Sequence, residues 1–190
     1  MKDKEIRKYN MRLFVAIDLP DTVKDQLDML QTCIPTARWV KRQQMHLTLF
    51  FLGETDRLPD IKNALASIET PPFSLTLTGV GRFPKRHRQP PRVLWVGIDA
   101  EPTLAQLHEQ VTTALAEIGF EPEHRPFSPH ITLARFKTRE PLPEVDALLN
   151  AHGAFRVPSI AITEFVLFSS ALTPQGPLYE REAVFALQAD

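Results

Sequence analysis

Apolar residues along this chain alternate between two rhythms. Runs such as residues 13–17 and 47–52 are nearly continuous and suit buried strands, whereas Val23, Leu27 and Leu30 recur at helical spacing behind a proline suited to a helix start. The pattern predicts a strand over 13–18, a helix from Pro20, and a strand opening at His46 and ending at Gly53. A second helix follows Leu58-Pro59 with Ile61, Leu65 and Ile68 on one face, then a strand over 73–83. Beyond Pro91 the order recurs. A strand ends at Ile98-Asp99, a helix carries Leu104, Leu107, Val111 and Leu115, a strand opens at His130, and a helix follows Leu142-Pro143. Strands over 159–170 and 181–187 close the chain.

The recurrence is a matter of register as well as order. His46-Leu47-Thr48 and His130-Ile131-Thr132 repeat one pattern, and each is followed, 12 residues after its histidine, by a Leu-Pro pair that opens a helix. Matching motif, element order and spacing argue for an internal duplication. The expected architecture is α+β: one bilobal domain over 11–190, made of pseudo-repeats at about 11–90 and 91–190 and divided at Gln89-Pro90-Pro91. Two small, mostly antiparallel sheets should face each other across a central cleft with helices outside. The charged segment 1–10 is expected to be a flexible, dispensable tail.

Composition narrows the picture. The 190 residues are 43% hydrophobic with 12 Phe, enough for a packed core. A net charge of −1 excludes a generally basic nucleic-acid binder, so any RNA contact must be local. One cysteine, Cys33, allows neither an intrachain disulfide nor a multi-cysteine metal site, which suits a reducing cytoplasm. No apolar run reaches membrane-spanning length, and no coiled-coil pattern argues for a dimer; a monomer without an obligate protein partner is expected.

Residues two apart on a strand share a face, so His46 projects with Thr48 and His130 with Thr132, while Leu47 and Ile131 enter the core. A pseudo-twofold axis would bring all four polar side chains to one cleft. Near neutral pH one imidazole can take a proton from water while another gives one to a departing oxygen, and displacement at phosphorus wants these roles on opposite sides. The threonine hydroxyls can hydrogen-bond the non-bridging oxygens. Zinc chemistry would need a third ligand and neither motif has its spacing; Gly-x-Ser-x-Gly and Walker patterns are absent. Phosphoester chemistry with no metal or other cofactor is expected, and the residues leave open which histidine is acid and which is base.

With these flanks, "LFVAIDLP", "HLTLFFLGE" and "RPFSPHITLARF", the chain from Arg12 onward resembles the two-histidine (2H) phosphoesterase superfamily, in particular its RNA 2′,3′-cyclic phosphodiesterase, or 2′-5′ RNA ligase, branch. The resemblance implies hydrolysis of a 2′,3′-cyclic RNA end to a 2′-phosphate, with reversible 2′-5′ joining as a related activity and tRNA fragments among the candidate substrates. It implies His46 as proton donor, His130 as proton acceptor, and Thr48 and Thr132 as phosphate ligands. It also implies a clamp on the terminal base by Phe51 and Arg135, each five residues beyond its histidine. Strict alternation puts that offset on the opposite face, so the clamp requires a bulge or a twist at the strand end, and Phe50 is the rival. Arg125 is a candidate to brace the site or touch phosphate. Two alternatives stay open: a non-catalytic module for RNA ends or nucleotides, and a phosphodiesterase for 2′-5′ oligonucleotides or small cyclic nucleotides.

The segment 82–92 gathers Arg82, Lys85, Arg86, Arg88 and Arg92 around His87 and is expected either to track an RNA backbone or to be solvated. His87, His108, His124 and His152 lack partner motifs and are expected at the surface.

Overall fold

Strand β1, Met11–Asp18, and strand β3, His46–Thr55, run antiparallel in the computed structural model, which describes residues 11–86, 88–174 and 176–188. The expected tail at 1–10 and His87 lie outside the described residues. Between β1 and β3 come α1 (Asp21–Asp28), a short strand β2 (Ala37–Trp39) and a 3-10 turn at Arg42–Gln44. Helix α2 (Leu58–Leu65) and β4 (Phe73–Phe83) follow, then β5 (Val93–Ile98), α3 (Pro102–Glu117) and β6 (His130–Phe136). Helix α4 (Pro143–Ala151) precedes β7 (Arg156–Ile162), β8 (Glu164–Thr173) and β9 (Gly176–Ala186).

The helical stripes face inward as their spacing demands. Val23, Leu27, Ile61, Leu65, Leu104, Leu107, Val111 and Leu115 are all buried. No helix among the described residues is long and apolar enough to cross a membrane.

The α+β class and the antiparallel pairing agree with the sequence; the number of sheets does not. All nine strands join one sheet in the order β7-β4-β5-β6-β3-β1-β8-β9, with β2 added beside β6. Among the described residues its two halves pair only at the bridge Leu47↔Ile131 between β3 and β6. Both residues are fully buried, and burying each contributes roughly 2 kcal/mol at the seam. The strands also trade places between repeats. β4, from the first repeat, pairs with β5 and β7, while β8 and β9, from the second, extend β1. A division at residues 89–91 does not separate the sheet, because β4 and β5 are hydrogen-bonded neighbours across it. Periodicity assigns a strand its faces and leaves its partner unspecified.

Candidate active site

The bridge fixes the geometry of the four polar side chains. With Leu47 paired to Ile131 in antiparallel register, Thr48 lies across from His130 and Thr132 across from His46. Opposite Cβ atoms in such a pair are about 5 Å apart and diagonal ones roughly 7–8 Å. In this register the threonines and histidines occupy alternate corners of one quadrilateral, with the imidazoles on one of its diagonals.

Both imidazoles are held by one local device. His46 Nδ1 lies 2.7 Å from the Gln44 carbonyl, and His130 Nδ1 lies 2.7 Å from the Ser128 carbonyl, in each case two residues back. A carbonyl can only accept, so Nδ1 carries the hydrogen and Nε2 is left for the cleft. Gln44 is itself tied down, its Nε2 donating to the Pro177 carbonyl of β9.

Aromatic walls stand beside each ring. Phe14 lies 4.8 Å from His46, and Tyr179 meets it edge-on at 5.5 Å. His130 meets Phe83 edge-on at 5.3 Å with Trp95 at 6.3 Å. Trp95 is laid flat over Gly81: a Cβ there would overlap the indole, so only glycine leaves the ring its place. Burial in these surroundings pushes His46 down to about 4, outweighing the hydrogen bond to Gln44 and the pull of Asp18, whose carboxylate is held by Lys24 at 2.6 Å. Burial likewise holds the Tyr179 hydroxyl above its usual range, so it stays protonated.

Both motif strands carry a bulge. Ala16 pairs with Thr48 and Val15 with Phe50, leaving Leu49 extra; Trp95 pairs with Thr132 and Leu94 with Ala134, leaving Leu133 extra. Each motif strand therefore turns two successive side chains into the core, and its fifth residue beyond the histidine returns to the histidine's face. Phe51 is 52% exposed and borders the cleft with Arg135, whereas Phe50, at 6%, belongs to the core. Phe50 also forms part of the wall of the smaller limb. β3 also continues past Gly53, which adopts φ +76° at a second irregularity in the pairing with β1, and ends at Thr55 rather than at the glycine.

Two limbs of one cleft share Thr48, Phe51, His130 and Arg135. One, about 780 Å³, reaches toward α3; the other, about 1030 Å³, holds His46 and Thr132 and runs toward β2 and β9. The larger limb is lined by Arg12, Arg38, Lys41, Arg92, Arg135 and Lys137 against a single acid, Glu123. Arg38 and Arg135 are direct cross-strand partners, an arrangement that is unfavourable unless an anion lies between them. A protein of net charge −1 thus concentrates positive potential where phosphate would sit. The sequence reading missed Arg12, Arg38, Lys41 and Lys137, which are scattered along the chain and assembled only by strand pairing.

Other expectations divide. Arg125 stands at the rim of the smaller limb, exposed and paired with Glu123 at 3.0 Å. Arg82 is a correction: its side chain is 2% exposed, and it donates to the carbonyls of Pro84 and Gln89 and to Asp146, so it holds the 82–92 segment together rather than facing RNA. Of that segment's cations Arg92 lines the cleft, while Lys85, Arg86 and Arg88 are exposed and line neither limb. His108 is a second correction, half-buried and stacked on Phe127.

Comparisons with known proteins point one way. The model of the 2′-5′ RNA ligase superfamily matches residues 19–171. The RNA 2′,3′-cyclic phosphodiesterase of Thermotoga maritima is 36% identical over 178 residues, covering 90% of this chain and 92% of that protein. The enzyme of that name from Archaeoglobus fulgidus is 32% identical over 180 residues, 92% of this chain and 99% of its relative. The crystal structure of E. coli LigT complexed with 3′-AMP superposes with a TM-score of 0.75 at 29% identity, over 95% of this chain and 99% of that one. A crystallised protein of Thermus thermophilus, TT0787, gives 0.76 at 31% identity, over 93% and 98%.

Proposed function

The chain belongs to the 2′-5′ RNA ligase superfamily, and from that premise we propose that it is a metal-independent RNA 2′,3′-cyclic phosphodiesterase leaving a 2′-phosphate. The observation that carries the reading is the matched pair of imidazoles at diagonal corners of the His-Thr quadrilateral, each with Nδ1 on a carbonyl and Nε2 free for the cleft.

The cyclic phosphate sits among His46, Thr48, His130 and Thr132. Water attacks phosphorus from the His130 side and its proton passes to Nε2 of His130. The P–O3′ bond breaks on the opposite side, and O3′ takes the Nε2 proton of His46, giving a 3′-hydroxyl and a 2′-phosphomonoester. The threonine hydroxyls donate to the non-bridging oxygens, and Arg135 offsets the charge that gathers there. The terminal base lies between the Phe51 ring and the Arg135 guanidinium.

His46 as donor rests on the family resemblance and sets a physical condition. The group is neutral in the free protein at pH 7, so the substrate must charge it. A phosphodiester anion in contact with the ring does this.

Arg125 serves the rim, and the basic limb draws in the RNA chain, tRNA fragments among the substrates. We place the protein in the cytoplasm as a monomer, supported by a cleft built within one chain and by an exposed free cysteine.

The test is a defined oligoribonucleotide with a 2′,3′-cyclic end, incubated in excess chelator. A 2′-phosphate should form, and His46→Ala and His130→Ala should each slow turnover by about 10²–10⁴-fold. Turnover unchanged in both variants, or dependent on added metal, would overturn the reading.

A further inference from the structure

The two motifs match in register, yet their histidines do not face the same neighbour. On β3, His46 lies across from Asp18, the last residue of β1. On β6, His130 lies across from Gly97 of β5. Opposed residues of an antiparallel pair share a face with Cβ atoms about 5 Å apart, so a carboxylate stands beside one imidazole and a bare backbone position beside the other. Gly97 has no room for a side chain: a Cβ there would lie 2.8 Å from the Thr78 carbonyl oxygen and 3.3 Å from the Trp95 ring.

Asp18 is firmly held. Its Oδ1 accepts from the Leu19 N–H at 2.9 Å and from Lys24 Nζ at 2.6 Å. Lys24, on α1, is 6% exposed, a buried charge with no part in the hydrolysis described above. Neither residue borders either limb of the cleft. A buried ion pair adds little stability that apolar side chains of the same volume would not, so packing alone does not account for a lysine here.

We infer that Asp18 and Lys24 are positioning residues for the proton donor: the Asp18 carboxylate is the counter-ion that keeps the proton on His46 until O3′ departs, and Lys24 holds that carboxylate ionised and in place. The inference rests on the reading of His46 as donor given above.

The asymmetry fits the division of roles. A donor must be charged before the transfer and neutral after it, and a fixed anion nearby favours the charged form. An acceptor must begin neutral, and the position across from His130 carries no counter-ion to charge it. Burial takes His46 down to about 4 in the free protein; the charge of Asp18 acts against that fall and the charge of Lys24 with it. The carboxylate thus leaves a smaller gap for the bound phosphate to close, and Lys24 keeps it from holding the proton too tightly for transfer. The other titratable groups around the ring are Arg135 of β6, Tyr179 of β9 and, on the diagonal, His130; from β8 the apolar Phe168 packs near it.

The experiment compares the wild type with Asp18→Asn, Lys24→Met and the double variant. Each is saturated with a nucleoside 2′-phosphate for NMR titration of both histidine rings, and kcat is measured on a cyclic-ended oligoribonucleotide. The His46 midpoint should be highest in Lys24→Met and fall through the wild type and the double variant to Asp18→Asn, with about one unit or more between the extremes and the His130 midpoint steady within about 0.3 unit. At pH 7 kcat should drop about tenfold in Asp18→Asn with KM little changed. The double variant leaves no buried charge without its partner, so it keeps the fold even where Asp18→Asn does not, and its midpoint must lie below that of the wild type. A pair that only braces the fold would move the two single variants in the same direction or not at all. Either result, or an equal shift at His130, overturns the inference while leaving His46 as donor intact. Turnover as fast in His46→Ala as in the wild type removes the donor reading, and this inference with it.

Discussion

His46 should change its protonation state when an anion enters the cleft. Burial beside Phe14, Phe168 and Tyr179 takes it to about 4 in the free protein, so near pH 7 its Nε2 has no proton to give. A phosphate anion about 4 Å away stabilises the imidazolium by about 4 kcal/mol at an effective dielectric near 20. At about 1.4 kcal/mol per unit that is roughly three pKa units, enough to bring the group to neutral pH. The assay is an NMR titration of the His46 ring, free and saturated with a nucleoside 2′-phosphate, paired with calorimetry at pH 6 in two buffers of different ionisation enthalpy. The midpoint should rise by about two units or more, and binding should take up close to one proton. Stability gives an independent reading of the free state. Since the folded value lies below the unfolded one, near 6.5, the neutral ring's contribution is complete above about 6.5 and is lost as pH falls toward about 4. The ligand should flatten that decline. A His46 midpoint still below 5 in the saturated complex would refute the reasoning and move the donor role elsewhere.

Thr48→Val and Thr132→Val each remove one of the hydroxyls proposed to donate to the phosphate and should lower kcat about tenfold or more while KM changes little; steady-state kinetics on the cyclic-ended oligomer checks this. Phe51→Leu removes the exposed ring of the proposed clamp and should mainly raise KM, by about fivefold or more, without a matching loss of stability, since the ring is half exposed. Gly81→Ala drives a methyl into the Trp95 indole and should cost about 1–3 kcal/mol by denaturant melt while displacing the wall beside His130 and slowing turnover.

Much of the site was legible because it lies within two short strands. His46 and Thr48 share a face by the two-residue period, and the same holds for His130 and Thr132. Seating Phe51 and Arg135 beside them called for a bulge or a twist at the strand end, and the pairing has bulges at Leu49 and Leu133. What stayed hidden depends on which strand lies beside which. The path β7-β4-β5-β6-β3-β1-β8-β9 sends β4 and β8 into the lobe of the other repeat, and no hydrophobic period encodes that exchange. Arg12, Arg38 and Lys137 come together only through the pairing of β1 with β3, β3 with β6 and β6 with β2, and Tyr179 reaches His46 only because β8 and β9 extend β1. The segment 82–92 misled for a related reason: Arg82 has the charge of an RNA contact and the surroundings of a core staple, and only its carbonyl partners tell the two apart.

The central claim is that imidazoles from the two lobes flank one phosphorus. A crystal structure with a uridine–vanadate complex, whose five-coordinate vanadium imitates the displacement, tests it most directly. Nε2 of His46 and Nε2 of His130 should each lie within about 3.2 Å of opposite apical oxygens, with the threonine hydroxyls on equatorial ones. Vanadate held by one imidazole alone, or with both rings on the same side of the metal, would contradict the account.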